Sequence, residues 1–366
     1  MRIILILVMG LHGSIHLFGF LKAYDITTFQ GISEPISKPV GAFWLVSFIL
    51  FSITIILLIW QPDYWWLGGF MAILVSQALI FYFWSDAKFG TLINILILLA
   101  SIVSYSDFRF TNQILAERKD LFQRAQTVTN NPIIAQEIAD LPPVVRKWLH
   151  SSTEFGQPIV SNVYLTQELK LKMNPGQKDW SSGTANQIFT VQPPGFNWVI
   201  NTSIYSLIST KGRDKLVKGK GEMTIKLFSL FPVVHADNNF KVNQATLQRY
   251  LAEIVWFPSA ALSPDIHWEA LNDHSAKATM DIQGTKASGI FHFNEYGQFV
   301  KFVAMRYKDV KDPTPTQWSV EAIKFKDFKG IKVPVECEVS WMLNGEKWTW
   351  LKVKIVDISY NIAAIP

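Results

Sequence analysis

AFWLVSFILFSITIILLIW, residues 42–60, carries no charged side chain. As a helix it spans roughly 28 Å, close to the ~30 Å hydrocarbon core of a bilayer. Such a run has no polar face to turn toward water, so its reading as a membrane-crossing helix decides the fold of the first part of the chain. Three other runs match it: 1–21 (MRIILILVMGLHGSIHLFGFL), about 66–84 (WLGGFMAILVSQALIFYFW) and about 89–105 (FGTLINILILLASIVSY). None holds Asp, Glu or Lys, and the one arginine is Arg2. Trp44, Trp60, Trp65, Trp66 and Trp84 stand at the ends, where indoles favour the membrane–water interface. The first run lacks a small-x-small cleavage site and precedes three more spans, so it reads as a span and not as a signal peptide. The short links 61–65 and 85–88 imply tight hairpins and a compact four-helix transmembrane bundle over residues 1–105.

Four spans put both termini on the same side of the plasma (inner) membrane. Arg2, Arg109, Arg118, Lys119 and Arg124 on that side against Lys22, Lys38 and Lys88 on the other lean toward a cytoplasmic placement. Folded domains translocate regardless of their charge, and leaving out the four residues after the last span reverses the balance. An extracytoplasmic placement therefore stays open.

The chain of 366 residues is 49% hydrophobic and 17% charged, against a usual charged share of about 25%. Residues 1–105 hold four basic and four acidic side chains, so the net charge of +5 sits on the remainder. Its basic residues are interleaved with acids, which gives no nucleic-acid footprint. The single cysteine, Cys337, excludes an internal disulfide and a Cys-rich metal site, and reads as a small buried hydrophobe.

Residues 106–150 read as a helical stalk, with Leu115, Leu121, Phe122, Ile133, Ile134 and Ile138 at helical spacing. A break is expected at Asn130-Asn131-Pro132, and a short helix from Pro142-Pro143. From about 160 the period changes to two. Val163, Leu165, Leu169 and Leu171 alternate with polar residues, as do Ala276–Ile282, Ile331–Trp341 and Leu351–Ile355. NPGQ (174–177), KGKG (218–221), NEYG (294–297) and LNGE (343–346) mark turns. About ten or eleven antiparallel strands are expected. One helix, 243–257, interrupts them, with Asn243 as N-cap, a stripe of Leu247, Leu251, Ile254 and Val255, and Pro258 as its stop. Residues 151–366 are thus expected to form a mostly β (α+β) half-barrel with a covering helix. Its apolar interior is either a packed core or a ligand cavity.

LPPVVRKWL (141–149), GRD (212–214), GKGEMTIKLFSLFPV (219–233), LQRYLAEIVWFPSAAL (247–262) and HWEAL (267–271) together resemble an uncharacterised bacterial family with a domain of unknown function, over about 140–360. GLHGSIHLFGFLKAY (10–24) and WSDAKFGTLINILIL (84–98) resemble the four-helix extension of some members and, more loosely, small DoxX-type four-helix membrane proteins. The resemblance implies no activity and no catalytic residues. The architecture is similar to periplasmic lipoprotein-carrier half-barrels, an analogy of fold alone.

Three groups of residues could carry chemistry. His12 and His16 share one helix face and could join Asp86, Lys88 and Asn94 in a polar cluster inside the membrane part, for metal, haem or proton transfer; a hydrogen-bonded bundle contact is the plainer reading. Asp265, His267 and Glu269 share a strand face and could hold a divalent ion or act as acid and base, although the wet face of an edge strand looks the same. Arg249 and Glu253, one turn apart, form either a surface pair or, with Asp214, Tyr250, Trp256 and Trp268, the lining that orients a ligand at the mouth of the half-barrel. No GxSxG, P-loop, HExxH or dinucleotide motif is present. The expectation is a membrane-anchored binding domain for a hydrophobic small molecule, a lipid or acyl chain, with membrane lipids as partners and no cofactor or metal. The alternatives are a membrane-bound enzyme using Asp265/His267/Glu269 or Arg249/Glu253, and a structural membrane subunit. No protein partner is named by the sequence.

Overall fold

The fold is that of a computed structural model, which describes residues 2–28, 31–125, 138–153, 156, 158–204 and 208–366. The expected break at Asn130-Asn131-Pro132, with Ile133 and Ile134, lies outside the described residues. The chain forms two compact units, Met1–Asn112 and Gln113–Pro366.

The first unit contains α1 (Arg2–Ala23), α2 (Lys38–Trp60), α3 (Trp65–Tyr82), the short α4 (Trp84–Ala87) and the start of α5 (Gly90–Arg124). Four of these, α1, α2, α3 and α5, are long and apolar enough to cross a membrane. Their outer faces carry Ile3, Leu7, Leu11, Ile53, Ile56, Leu92 and Leu96, all exposed, whereas His12, His16, Ser47, Thr54, Ser76 and Asn94 are buried. Apolar side chains outside and hydroxyl, amide and imidazole groups inside reverse the order of a water-soluble bundle. Small residues allow close approach: a Cβ on Gly19 would lie 2.2 Å from the Trp44 ring.

The second unit begins with the end of α5, then α6 (Pro143–Ser152), and holds thirteen strands: β1 (Asn162–Leu171), β2 (Ser181–Thr190), β3 (Gly195–Ile204), β4 (Ile208–Val217), β5 (Lys220–Leu227), β6 (Phe231–Ala236), β7 (Ile266–Asn272), β8 (Ser275–Ile282), β9 (Thr285–Phe293), β10 (Phe299–Arg306), β11 (Thr316–Phe328), β12 (Ile331–Leu343) and β13 (Glu346–Tyr360). Between β6 and β7 run α7 (Phe240–Glu253) and two 3₁₀ turns, Ile254–Trp256 and Pro258–Leu262. All strands join one antiparallel sheet in the order β6-β5-β4-β3-β2-β1-β13-β12-β11-β10-β9-β8-β7. Among the described residues the two meanders pair strand to strand where β13 meets β1, from Val163↔Tyr360 to Leu171↔Leu351.

The count of thirteen corrects the expectation of about ten. Period two is blurred in several of the strands. In β2 and β4 the polar residues Gln187 and Asp214 occupy inward positions, and β6 is exposed along almost its whole length. The α7 cap also shifts by a turn. Asn239, not Asn243, caps the helix, accepting from the Lys241 N–H at 2.9 Å, while Asn243 Oδ1 accepts from the Gly221 N–H at 2.9 Å.

α7 contacts β4 and β5 on one wing of the sheet and β8, β9 and β10 on the other, so the sheet must wrap around it. Leu247, Tyr250, Leu251, Ile254 and Phe257 are at most 1% exposed, and the space beneath the helix is packed core. Trp148 of α6 plugs one side, its ring stacked 5.7 Å from Phe291 and tilted 6.1 Å from Trp268. Gly289 is required where Phe302 crosses: a Cβ there would lie 2.0 Å from the ring. Two surface concavities, of about 450 Å³ beside Glu168, Lys170, Ser182 and Asn201 and about 190 Å³ beside Pro143 and Leu271, lie outside this core.

The end of α5 lies on the face of β2–β4 opposite α7. Glu117 pairs with Lys215 (3.0 Å) and Arg213 (3.2 Å), and Arg118 Nε donates to Asn197 Oδ1 (2.9 Å). Arg213 also pairs with Glu222, so this interface is held largely by charge-assisted hydrogen bonds.

Candidate functional site

On β2, β3, β4 and β10 the residues facing α7 follow period two: Ala185-Gln187-Phe189, Phe196-Trp198-Ile200, Gly212-Asp214-Leu216 and Phe302-Ala304-Arg306. Gln187, Trp198 and Asp214 are successive register partners across β2, β3 and β4. Three of these strands thus place a polar residue in an apolar phase, and α7 adds Arg249 and Glu253 between them.

Arg249 is the hub. Its Nη1 donates to Asp214 Oδ2 at 2.7 Å and its Nε to Glu253 Oε1 at 2.8 Å. Gln187 Nε2 donates to the other Glu253 oxygen at 2.8 Å. The guanidinium lies 4.5 Å from the Trp198 ring centroid and 5.1 Å from that of Phe196, and the Trp198 indole donates to Gln167 Oε1 at 2.8 Å. Arg306 approaches from the other wing. Its Nε donates to the Ala245 carbonyl of α7 at 3.1 Å, and its guanidinium lies 4.6 Å from Trp318 and 5.8 Å from Trp341. Among the described residues it makes no ion pair. Trp318 and Trp341 are register partners, as are Trp341 and Trp348, which builds an indole ladder across β11, β12 and β13.

The electrostatics follow from burial. Asp214 and Glu253 are held above the ordinary carboxyl value chiefly by desolvation, against the pull of Arg249. Arg249, although burial opposes its charge, is held above its ordinary value by Glu253 and Asp214. Arg306 is lowered to about 10 by burial, Asp214 pulling it up and the charge of Arg249 pushing it further down. Within the cluster the acceptors Asp214 Oδ1 and Gln187 Oε1 have no partner, and elsewhere in this unit neither do Gln248 Oε1 and the indole N–H groups of Trp318, Trp348 and Trp350. Buried polar groups are normally paired, so Asp214 Oδ1 and Gln187 Oε1 stand out within the ion-pair network.

A pH effect with a definite sign follows. A carboxyl whose pKa is higher in the folded than in the unfolded chain contributes stability that is present at low pH. That contribution is lost as pH rises from the ordinary carboxyl value, about 4.3 for Glu, through the raised one. Glu253→Gln keeps an acceptor for Arg249, and the unpartnered Gln187 Oε1 can turn to receive the new amide. The stability of the variant relative to wild type is therefore expected to increase with pH across that window in parallel urea titrations. A flat difference would rule out the raised Glu253.

Of the residues singled out from sequence, Asp214, Arg249 and Glu253 come together. The others in that group do not join them. The Tyr250 hydroxyl donates to the Thr190 carbonyl (3.0 Å), Trp256 Nε1 to Pro334 (3.0 Å) and Trp268 Nε1 to Ala261 (3.0 Å), so the polar atom of each of these three buried aromatics is satisfied by the backbone. His267 and Glu269 are exposed on the edge strand β7, while Trp268 between them is buried. Among the described residues no group of three or more His, Cys, Asp or Glu side chains is placed to hold a metal ion. Gln187, Trp198, Arg306 and the indole ladder were not singled out from sequence; a polar residue at an apolar phase was the available signal for Gln187 and Arg306.

In the first unit His12 and His16 do meet Asn94. His12 Nε2 lies 3.0 Å from Asn94 Oδ1, and His16 Nε2 lies 2.9 Å from Ser76 Oγ. Asn94 Nδ2 also donates to Gln77 Oε1 at 3.1 Å. Asp86 and Lys88 stand apart from this network. The exposed Asp86 carboxylate accepts from the Ser33 N–H (2.7 Å) and hydroxyl (2.9 Å), and Lys88 Nζ lies 5.5 Å from the Phe89 ring centroid. The short link between α3 and α5 carries both, and neither bonds to His12, His16 or Asn94 among the described contacts.

A family model described as a family of unknown function (DUF6920) matches residues 139–360. Among solved structures, the chain is similar to a LolA-superfamily protein from Nitrosomonas europaea, at 9% identity and TM-score 0.34, covering 61% of this chain and 93% of that one. It is also similar to a β-barrel-like protein of a domain of unknown function (DUF1849) from Brucella abortus, at 10% identity and TM-score 0.25, covering 56% and 99%. No curated protein matches.

Proposed function

The chain belongs to this family of unknown function, and we propose that it is a membrane-anchored half-barrel that binds an amphiphile, a lipid or acyl chain with an anionic head group. The four apolar helices serve as the anchor. Their exposed apolar and buried polar side chains support a lipid surround, and their resemblance to DoxX-type helices is in keeping with it.

The observation that carries the reading is Arg306. Arg249 is already engaged by both carboxylates of the site, so the charge of Arg306 is left without a bonded anion among the described residues. Its guanidinium stacks on two indoles, an arrangement that holds the cation rigid while its remaining N–H groups stay available for bidentate contact with a carboxylate or phosphate. The Trp318–Trp341–Trp348 ladder lies beside it, with Trp318 and Trp341 buried at 4% exposure and Trp348 half-buried, and the unpartnered indole N–H groups of Trp318 and Trp348 are donors that a ligand entering beside Arg306 would meet. Because the interior under α7 is filled, the ligand lies along this rim and not inside a central cavity.

The test uses the full chain in nanodiscs of neutral lipid with cis-parinaric acid, whose absorption overlaps tryptophan emission. Energy transfer should report binding, and Arg306→Ala should weaken it about tenfold or more, equivalent to ~1.4 kcal/mol. The methyl ester should bind wild type and variant alike. Equal affinity of wild type and variant for the free acid would defeat the assignment.

A further inference from the structure

We infer that the β5–β6 hairpin is a lipid-surface contact that seats the second unit against the bilayer; this rests on the membrane-anchored reading above. Phe231, Val233 and Val234 are 60%, 53% and 37% exposed, an apolar edge at the end of the sheet. The turn itself is KLFSLF, residues 226–231, with Phe228 and Ser229 both in the left-handed region (φ 52° and 55°).

The direction of α5 supplies the occupant. Glu117 sits over Asn197 and Lys215, while Leu121, one turn on, sits over Gly195, where a Cβ would lie 2.7 Å from it. The helix therefore runs antiparallel to β3, and the chain enters this unit from the end where β3 stops and β5 turns into β6. The apolar run 89–105 ends eight residues before Gln113, about 12 Å of helix. The hairpin thus shares its end of the sheet with the tether. Pairing with a second copy is the competing occupant, and β6 is poorly made for it: Pro232 has no N–H to donate, and the register shifts between Ile225 and Lys226.

The experiment places an environment-sensitive thiol label on the full chain in phosphatidylcholine vesicles with or without brominated acyl chains. Native Cys337 is buried and its thiol is pushed up to about 12, so it stays unlabelled. Three single variants are compared: Leu96→Cys on an exposed apolar helix face, Val233→Cys on the hairpin and Lys332→Cys, exposed on β12. Loss of emission in brominated lipid is expected at 96 and 233 and not at 332. Quenching at 96 alone overturns the hairpin contact while the anchor stands. No quenching at 96 removes the anchor and the contact with it. Disulfide cross-linking of Val233→Cys between copies, without quenching, would assign the edge to self-association instead.

Discussion

Replacing Arg249 with alanine is expected to destabilise the second unit by about 3–5 kcal/mol at neutral pH, because removing one partner of a buried ion pair leaves the other charge uncompensated. Here two charges are left. Asp214 and Glu253 are 9% and 12% exposed at the side chain, and both bond directly to Arg249. Asp214 Oδ1 already lacks a partner, and Gln187 alone would remain on Glu253. Both carboxyls are held high by burial, so in the variant they should take up protons readily, and the cost should shrink as pH falls toward 4. Chemical denaturation of the full chain in detergent, followed by tryptophan emission at neutral and acidic pH, measures both. A loss below 1 kcal/mol at neutral pH would show that the cluster is wet.

Leu251→Ala should cost about 2–5 kcal/mol, the range for emptying a packed leucine site. Leu251 is 0% exposed and lies in one core cluster with Phe189, Phe257 and Val335. Added fatty acid should not restore the loss, since the amphiphile is assigned to the indole rim. A mild loss that fatty acid reverses would place the ligand under α7 and move the site inward. Read with the Arg306 variant, this separates a rim site from a cavity site: one mutation should change stability and leave affinity, the other the reverse.

The large features of this fold were legible because each has a strong period. Uncharged runs such as 42–60 leave few options in water, and alternation in β8 and β12 is clean since one face meets the core and the other solvent. β2 and β4 were harder to read. Both faces of these strands and of β3 between them are covered, one by α7 and one by the end of α5, so Gln187, Asn197 and Arg213 are all buried and the apolar–polar rhythm fails. The site was half legible for the same reason. Arg249 and Glu253 announce themselves as a helical pair, and Asp214 by its place in GRD. Arg306 is separated from Arg249 by two 3₁₀ turns and three strands, and no local spacing joins them. Tyr250, Trp256 and Trp268 were drawn toward the site by their chemistry, yet each found a backbone carbonyl within the core.

The pairing of β13 with β1 has a consequence for synthesis. Val163 waits for Tyr360, and among the described residues the last strand supplies the strand pairing between the two meanders. At roughly 5–20 residues per second, the apolar helices would have left the ribosome many seconds before the sheet can close. Until then β1 presents an unpaired edge, and so does β12. The nascent chain would thus pass through a half-built stage exposed to chaperones and proteases, and loss of the fifteen residues of β13 would hold it there.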